Sequence, residues 1–367
     1  MLQEKHLIVG YSSHIFVNLY IDMLINKCAI HKKDLYFLTL DNNVVKNSII
    51  ESECYKKFSL EEISSAKSLT FISLNKNNSF LFNDVCSFNE NSIEKIYVHL
   101  TEDELSRWVK TKKKYGYLKV TPRNYMSDDC ITVLKKIKNF IAAEKAFNQD
   151  LQYVLERSDF NITDARDAFS VMPTKELEKF KELYELKSQV INPEKKILIG
   201  AKRGVFTLSE TISILNNLDK KGALLDYKYM IFTYNKRRKY RIFLDFYGAY
   251  LRFFKRKNID ISFPTVTNGV TYNALVMSCN HIILQDRGSM TTIKEYIRME
   301  RGIVHVRDKS RNYRELTETI GVQVESYQNF SELASNIVNS KINIKENSLL
   351  VVNFFNKSFE RLRKVYF

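Results

Sequence analysis

Residues 280–306, NHIILQDRGSMTTIKEYIRMERGIVHV, constrain the fold more than any other stretch of the chain. Residues 281–284 form a short apolar run rich in β-branched side chains, which reads as a buried strand. Gln285, Asp286, Arg287, Gly288 and Ser289 interrupt it with turn residues. Residues 290–300 then place Ile293, Tyr296, Ile297 and Glu300 at helical steps of three and four. Gly302 reads as the helix stop, and residues 303–306 as the next strand. A strand that feeds a polar loop and then a helix N-terminus aims free backbone N–H groups at one spot, where an anion can dock. In open α/β sheets ligands sit beyond the carboxyl ends of the strands. This unit is therefore the expected ligand site.

A chain of 367 residues is long for one core and suits two domains of about 150–200 residues. No run of about 18 apolar residues occurs, and the N-terminus has no signal-peptide pattern. A cytoplasmic protein, at most peripheral on an inner membrane, is expected. The cysteines at 28, 54, 86, 130 and 279 are scattered without C-x-x-C spacing, so buried reduced thiols are expected rather than a disulfide framework or zinc site. The formal charge of +15 points to a polyanionic partner, whether nucleic acid, an anionic membrane surface or a phosphate-bearing substrate. A lysine- and asparagine-rich composition also follows from an A/T-rich genome, which weakens that inference.

The opening is a βαβ unit: a strand at residues 6–9, a helix presenting Phe16, Leu19, Tyr20, Met23 and Leu24 on one face, and a strand at 35–40. The intervening loop lacks G-x-G-x-x-G, so no dinucleotide cofactor, and no cofactor of any kind, is expected. Strands follow at 69–74 and 96–100, then a helix that Thr101 and Glu104 open with a capping box. Residues 118–121 read as a short strand, 128–153 as one long helical pattern and 174–186 as a helix. Asp128 and Asp129 after Ser127 suit helix capping better than a metal. The polar, proline-bearing segment near residue 190 reads as a linker. Domains are thus expected at 1–190 and 191–345, with a basic aromatic helix at 346–367. In the second domain strands are expected at 197–201, 229–234, 259–263 and 322–325, alternating with helices.

This plan, two α/β Rossmann-like domains and a closing helix that crosses between them, resembles the GT-B glycosyltransferase architecture. Residues 196–204, the helix from Asp286 to Gly302 and residues 303–307 are similar to the bacterial family that transfers N-acetylfucosamine from dTDP to a lipid-linked acceptor. The resemblance implies a transferase of bacterial surface polysaccharide synthesis, capsule or O-antigen. A nucleotide-sugar donor would bind the second domain, and a saccharide or lipid-linked acceptor would lie in the cleft. It also implies that protein groups rather than a metal stabilise the leaving diphosphate. Lys202, Arg203 and Gly204 suit diphosphate binding, or else are solvated loop residues. Asp286, Arg287, Gly288, Ser289, Thr291 and Thr292 form the second phosphate-binding group, although the hydroxyls also suit plain N-capping. Glu295 is the candidate partner of the ribose hydroxyls; its five-residue spacing from Glu300 departs from the seven-residue pair of the family. His14, His99, Glu102 and Asp103 stand at expected strand ends as candidate bases for the acceptor hydroxyl.

Residues 228–257 hold ten Lys or Arg against Asp245 alone, interleaved with Tyr240, Phe243, Phe246, Tyr247, Tyr250, Phe253 and Phe254. The segment suits base stacking in a nucleic-acid groove, an amphipathic helix on an anionic membrane, or a core helix with a solvated outer face. Two alternatives to glycosyl transfer remain open: a CDP-alditol-type polymer phosphotransferase, and a nucleic-acid-binding protein using helix 240–257. No recognised nucleic-acid motif accompanies the second, so nucleic acid is the less favoured partner.

Overall fold

The computed structural model describes residues 2–41, 49–165, 172–187, 194–202, 204–232, 238–266 and 268–367. The chain divides into two compact units, Met1–Thr174 with Phe355–Phe367, and Lys175–Phe354. Residues 188–193, where the linker was expected to begin, lie outside the described residues.

The first unit runs β1 (His6–Gly10), α1 (Ile15–Asn26), β2 (Leu35–Thr39), β3 (Ser52–Cys54), α2 (Leu60–Ser65), β4 (Ser68–Ile72), α3 (Ser79–Phe88), β5 (Ile96–His99), α4 (Glu102–Tyr115), α5 (Asp128–Lys136), β6 (Asn139–Ala142), α6 (Glu144–Leu155) and β7 (Asn161–Asp164). Its sheet is parallel in the order β3-β2-β1-β4-β5-β6-β7. Every residue of β1, β2, β4 and β6 is buried, as expected of parallel strands covered on both faces. After α7 (Thr174–Lys187), the second unit runs β8 (Lys196–Ile199), α8 (Leu208–Lys220), β9 (Lys228–Ile231), α9 (Arg238–Lys255), β10 (Asp260–Ser262), α10 (Gly269–Met277), β11 (His281–Ile283), α11 (Met290–Arg298), β12 (Ile303–Arg307), α12 (Arg311–Arg314), β13 (Glu325–Tyr327), α13 (Phe330–Asn339) and α14 (Ile344–Arg363). This sheet is also parallel, in the order β10-β9-β8-β11-β12-β13. Both sheets therefore show the doubly wound pattern expected from the sequence. α14 begins in the second unit and ends in the first. There the Tyr366 hydroxyl meets those of Tyr20 (2.9 Å) and Thr70 (2.8 Å) inside the core.

Three local expectations fail for identifiable reasons. The pattern at 128–153 is two helices with β6 between them. Asn139, Phe140, Ile141 and Ala142 are all buried, so this stretch has no polar face for a surface helix. Residues 118–121 are not a strand: the Asn124 side chain accepts from Thr121 N–H (3.0 Å) and donates to the Lys119 carbonyl (2.7 Å), closing a turn instead. The strand expected at 322–325 lies at Glu325–Tyr327. The backbone of Gln323 pairs with the Asn347 side chain of α14, at 2.8 and 2.7 Å, and not with β12.

Gly302 has a different role from the expected helix stop. α11 already ends at Arg298, and a Cβ on Gly302 would collide with the Asn280 carbonyl and the Tyr296 hydroxyl. Gly302→Ala should therefore destabilise the protein by about 1–3 kcal/mol, read as a lowered thermal midpoint; an unchanged midpoint would show that this packing yields freely.

Burial also sets a pH limit. Burial, helped by Lys67, lowers the pKa of His6 to about 4, and burial near Lys195 lowers that of His281 to about 4. Burial next to His281 holds His305 well below its ordinary value, with His281 Nδ1 and His305 Nε2 3.0 Å apart. All three rings are neutral when folded and titrate near 6.5 when unfolded. As the pH falls, the unfolded chain takes up these protons first. Stability is thus full above about pH 6.5 and declines toward pH 4, each ring contributing up to about 1.4 kcal/mol per pH unit. Urea midpoints should fall between about pH 7 and about pH 5; equal midpoints would mean that these imidazoles titrate normally.

Candidate functional site

In the second sheet the strand order reverses between β8 and β11. Crossovers from these two neighbours leave in opposite directions, which opens a crevice above their carboxyl ends. Residues 200–202 and 204 form one wall and residues 285–289 the other. The last backbone bond of this pair runs from Gly200 N–H to the Ile283 carbonyl at 2.9 Å. Beyond it Ala201 N–H donates to Gln285 Oε1 (3.1 Å), so a side chain bridges the separating strands.

The second wall is held from below. Gln285 Nε2 donates to the Gly288 carbonyl and to Ser289 Oγ, both at 3.1 Å. Asn312, the second residue of α12, donates through Nδ2 to the carbonyls of Gln285 (2.7 Å) and Gly288 (3.2 Å), and its N–H donates to the Asp286 carbonyl (3.0 Å). Gly288 has φ +83° and lies against Lys202: a Cβ there would come within 2.5 Å of Lys202 Nζ. Lys202 from the first wall thus lies across the second. Ser289, at the N-terminus of α11, has φ +67° and makes no side-chain cap. Its hydroxyl faces Gln285 instead, so the N-capping expected of it is not formed. The other helices of this sheet with described N-caps are capped by side chains: α8 by Thr207, α10 by Asn268, α12 by Ser310 and α13 by Asn329. Among the described N-caps of this sheet, that of α11 is the one without a side-chain cap.

Tyr272 on α10 closes the floor. Its hydroxyl donates to the Ala201 carbonyl at 2.7 Å. Burial raises its pKa, against the pull of the nearby Ser289 and Thr292 hydroxyls. To one side Arg307, at the end of β12, lies 3.2 Å from Glu210 and 3.7 Å from Asp286. Burial alone would raise the Glu210 pKa. The Thr207 N–H and hydroxyl together with Arg307 outweigh it and hold the carboxylate below its usual range.

The structure gathers Lys202, Gly204, Asp286, Arg287, Gly288, Ser289, Thr291 and Thr292 around this crevice, with Lys202, Asp286 and Arg287 exposed and Thr292 buried. Arg203 lies outside the described residues. Glu295 is buried further along α11, where its Oε2 accepts from Arg298 Nε at 2.6 Å. Gln285, Asn312 and Tyr272 were not anticipated from the sequence. Gln285 was legible only as a turn residue, while Asn312 and Tyr272 come from distant segments that the fold alone brings in.

The four acceptor-side candidates lie at the carboxyl edge of the first sheet. His14 follows β1 at the start of α1 and is exposed beside Phe16, and partial loss of hydration lowers its pKa. His99 ends β5 but is only 2% exposed, with its ring edge-on to Tyr20. Glu102 is half-buried and Asp103 exposed in the first turn of α4, so both favour that helix end electrostatically. The capping-box acid Glu104 reaches further than expected: it accepts from Thr101 N–H (2.9 Å) and from Leu74 N–H (3.0 Å), tying the ends of β4 and β5 together. β4 separates the strand carrying His14 from the strand carrying the other three.

Asn312→Ala would leave the carbonyls of Gln285 and Gly288 without their shared donor. Stability should fall by about 1–3 kcal/mol, and the amides of residues 286–289 should exchange hydrogen faster. Unchanged exchange there would mean that Asn312 does not hold the loop.

No family model matches the chain, and no curated protein matches its sequence. Solved structures do match over nearly its whole length. A glycosyltransferase from Rickettsia africae aligns with 99% of this chain and 98% of its own at 14% identity and a TM-score of 0.54. A UDP-GlcNAc 2-epimerase from Neisseria meningitidis, bound to UDP-GlcNAc, aligns with 98% and 97% at 12% identity and a TM-score of 0.55. WaaG, a glycosyltransferase involved in lipopolysaccharide biosynthesis, aligns with 98% and 95% at 11% identity and a TM-score of 0.50. The chain shares the two-domain GT-B fold of these proteins.

Proposed function

We propose that the protein is a glycosyltransferase that takes its sugar from a nucleotide-sugar donor bound at the β8/β11 crevice. The supporting observation is the conjunction at that point of the strand reversal, the uncapped N-terminus of α11 and Lys202 lying against Gly288. A nucleoside diphosphate matches all three. Its phosphates would complete the first turn of α11, and Lys202 and Arg287 would neutralise them. Glycosyl transfer builds negative charge on the departing diphosphate. The same N–H groups and cations then stabilise the leaving group as its charge grows, so no metal is needed for that role. The acceptor is a saccharide or lipid-linked hydroxyl in bacterial surface polysaccharide synthesis. His14 is the favoured base among the four candidates: it is exposed, and its lowered pKa keeps the ring neutral and able to accept a proton near pH 7. The involvement of the neighbour WaaG in lipopolysaccharide biosynthesis supports this pathway class.

The test is thermal unfolding with UDP, dTDP, GDP, CDP and CMP. A ligand present at about a hundred times its dissociation constant should add roughly 2.7 kcal/mol of stability. A response to one sugar-carrier nucleotide is expected, and it should weaken at least tenfold or so in Lys202→Ala and Arg287→Ala, because each removes a phosphate-neutralising cation. A dTDP response would favour the N-acetylfucosamine transferase type, whereas a response to CDP alone would favour the polymer phosphotransferase. No response to any nucleotide, or full affinity in both variants, would overturn the site.

A further inference from the structure

α9 carries three longitudinal stripes, where the sequence suggested two faces. Tyr240, Leu244, Tyr247 and Leu251, spaced by four, three and four residues, turn inward. The hydroxyl of Tyr240 lies 2.6 Å from that of Thr211, and Tyr247 donates to Asn216 at 2.7 Å, both on α8. This stripe fills the core side of the helix. Ile242, Phe243, Phe246, Tyr250, Phe253 and Phe254 are all exposed, Phe246 by 68%, Phe253 by 76% and Phe254 by 79%. At about 100° per residue these six occupy one arc of about 120°, running about 18 Å along the helix. Arg241 and Arg252 lie about 80–100° beyond one edge of that arc, with Asp245 between; Lys239 stands at its beginning, and Arg256 follows its end about 40° from the same edge; all four are exposed. The solvated outer face considered from the sequence is therefore basic along one stripe only; the other is aromatic. Apolar surface this continuous is not left to water without a use.

We propose that this face of α9 docks the protein on an anionic lipid bilayer. The inference goes beyond the donor-site reading and does not depend on it. The occupant follows from the combination of stripes. Phenylalanine and isoleucine side chains favour the boundary between headgroups and acyl chains, and Lys239 and Arg256, at the two ends of the arc, meet phosphate groups at the depth where the rings enter. Asp245 is the one acid between Lys239 and Lys257, so little opposes approach to a negative surface. Nucleic acid fits less well. Ile242 has no ring to stack, and Tyr250 and Phe254 already stack on each other with centroids 5.5 Å apart, which occupies the faces that bases would need. Among the described residues, no helix is long and apolar enough to cross a membrane. The predicted association is lateral, along the side of α9.

The experiment is flotation of the full chain with vesicles of phosphatidylcholine alone and of phosphatidylcholine mixed with phosphatidylglycerol. The wild type should float with the mixed vesicles and only weakly with the neutral ones. The triple variant F246S/F253S/F254S should bind the mixed vesicles about tenfold or more weakly. Arg252→Glu with Arg256→Glu should weaken binding most at low salt. Each variant should keep the wild-type thermal midpoint and nucleotide response, which separates loss of docking from loss of the fold or of the donor site. Three results would each overturn the proposal: wild-type protein that ignores phosphatidylglycerol vesicles, a triple variant that floats as well as wild type, or an oligonucleotide whose binding disappears in the variants while vesicle binding stays.

Discussion

The separation of two hydrogen-bonded strands governs the rest of the second unit. β8 and β11 pair in register, His281 with Ile197 and Ile283 with Ile199. Their crossovers then leave in opposite directions, and no backbone partner remains for Ala201 N–H. Inside a protein an unpaired amide of this kind costs about 1–3 kcal/mol. The Gln285 amide removes that cost, and in doing so fixes where the loop after β11 turns. Asn312 then fixes how far the loop rises, by holding two of its carbonyls from below. The crevice is therefore a consequence of strand order, and its wall is held in place by two side-chain amides.

Charge is arranged around this opening unevenly. The α8 N-terminus is already complete: Thr207 and Glu210 close a capping box, and Arg307 neutralises the carboxylate. Asp286 also lies within reach of Arg307, which withdraws a second negative charge from the opening. α11 has no such cap, and Lys202 lies on the glycine that precedes its first turn. Of the two helices that flank the crevice, one is electrostatically satisfied and the other is left positive. Further along α11, Lys294 is fully buried, 2.7 Å from Glu315. Removing either partner would weaken the pairing of a buried charge, which is costly inside a protein.

The α/β class, both parallel sheets, the βαβ opening and the strand–loop–helix unit at 280–306 were legible because fully buried parallel strands write themselves as apolar runs. The errors came where a local pattern was decided by a partner far away in sequence. Residues 139–142 look like part of a helix until the strands on either side of them are known. Val322 and Gln323 have strand-like composition, but Asn347 of α14 takes the backbone that β12 would have used. The site divides in the same way. Lys202, Gly288 and Ser289 were proposed from the rule that strand ends and helix starts bind anions. Tyr272 and Asn312 are ordinary residues in their own segments and become part of the site only through folding. α9 shows the limit most clearly. Its period reveals an amphipathic helix, yet only three-dimensional packing shows that the inner stripe is already filled by Tyr240, Leu244, Tyr247 and Leu251, so that its phenylalanines are surplus to the core.

The fold by itself does not choose the chemistry. A UDP-GlcNAc 2-epimerase and a glycosyltransferase align with this chain almost equally well, with TM-scores of 0.55 and 0.54. What the two reactions share is a nucleotide-sugar whose diphosphate must be held, the part for which the α11 N-terminus and Lys202 are proposed. What separates them is the group that receives or removes a proton. Of the four first-unit candidates, His99 is enclosed by the core, and Glu102 and Asp103 lie in the first turn of α4. His14 is exposed, with its pKa lowered, and that combination lets a neutral imidazole accept a proton from a hydroxyl without first losing one. In the proposed transfer His14 would be the base: replacing it should abolish turnover with an acceptor while leaving the nucleotide-induced rise in thermal midpoint intact, whereas turnover that survives its loss would move the reaction's base elsewhere.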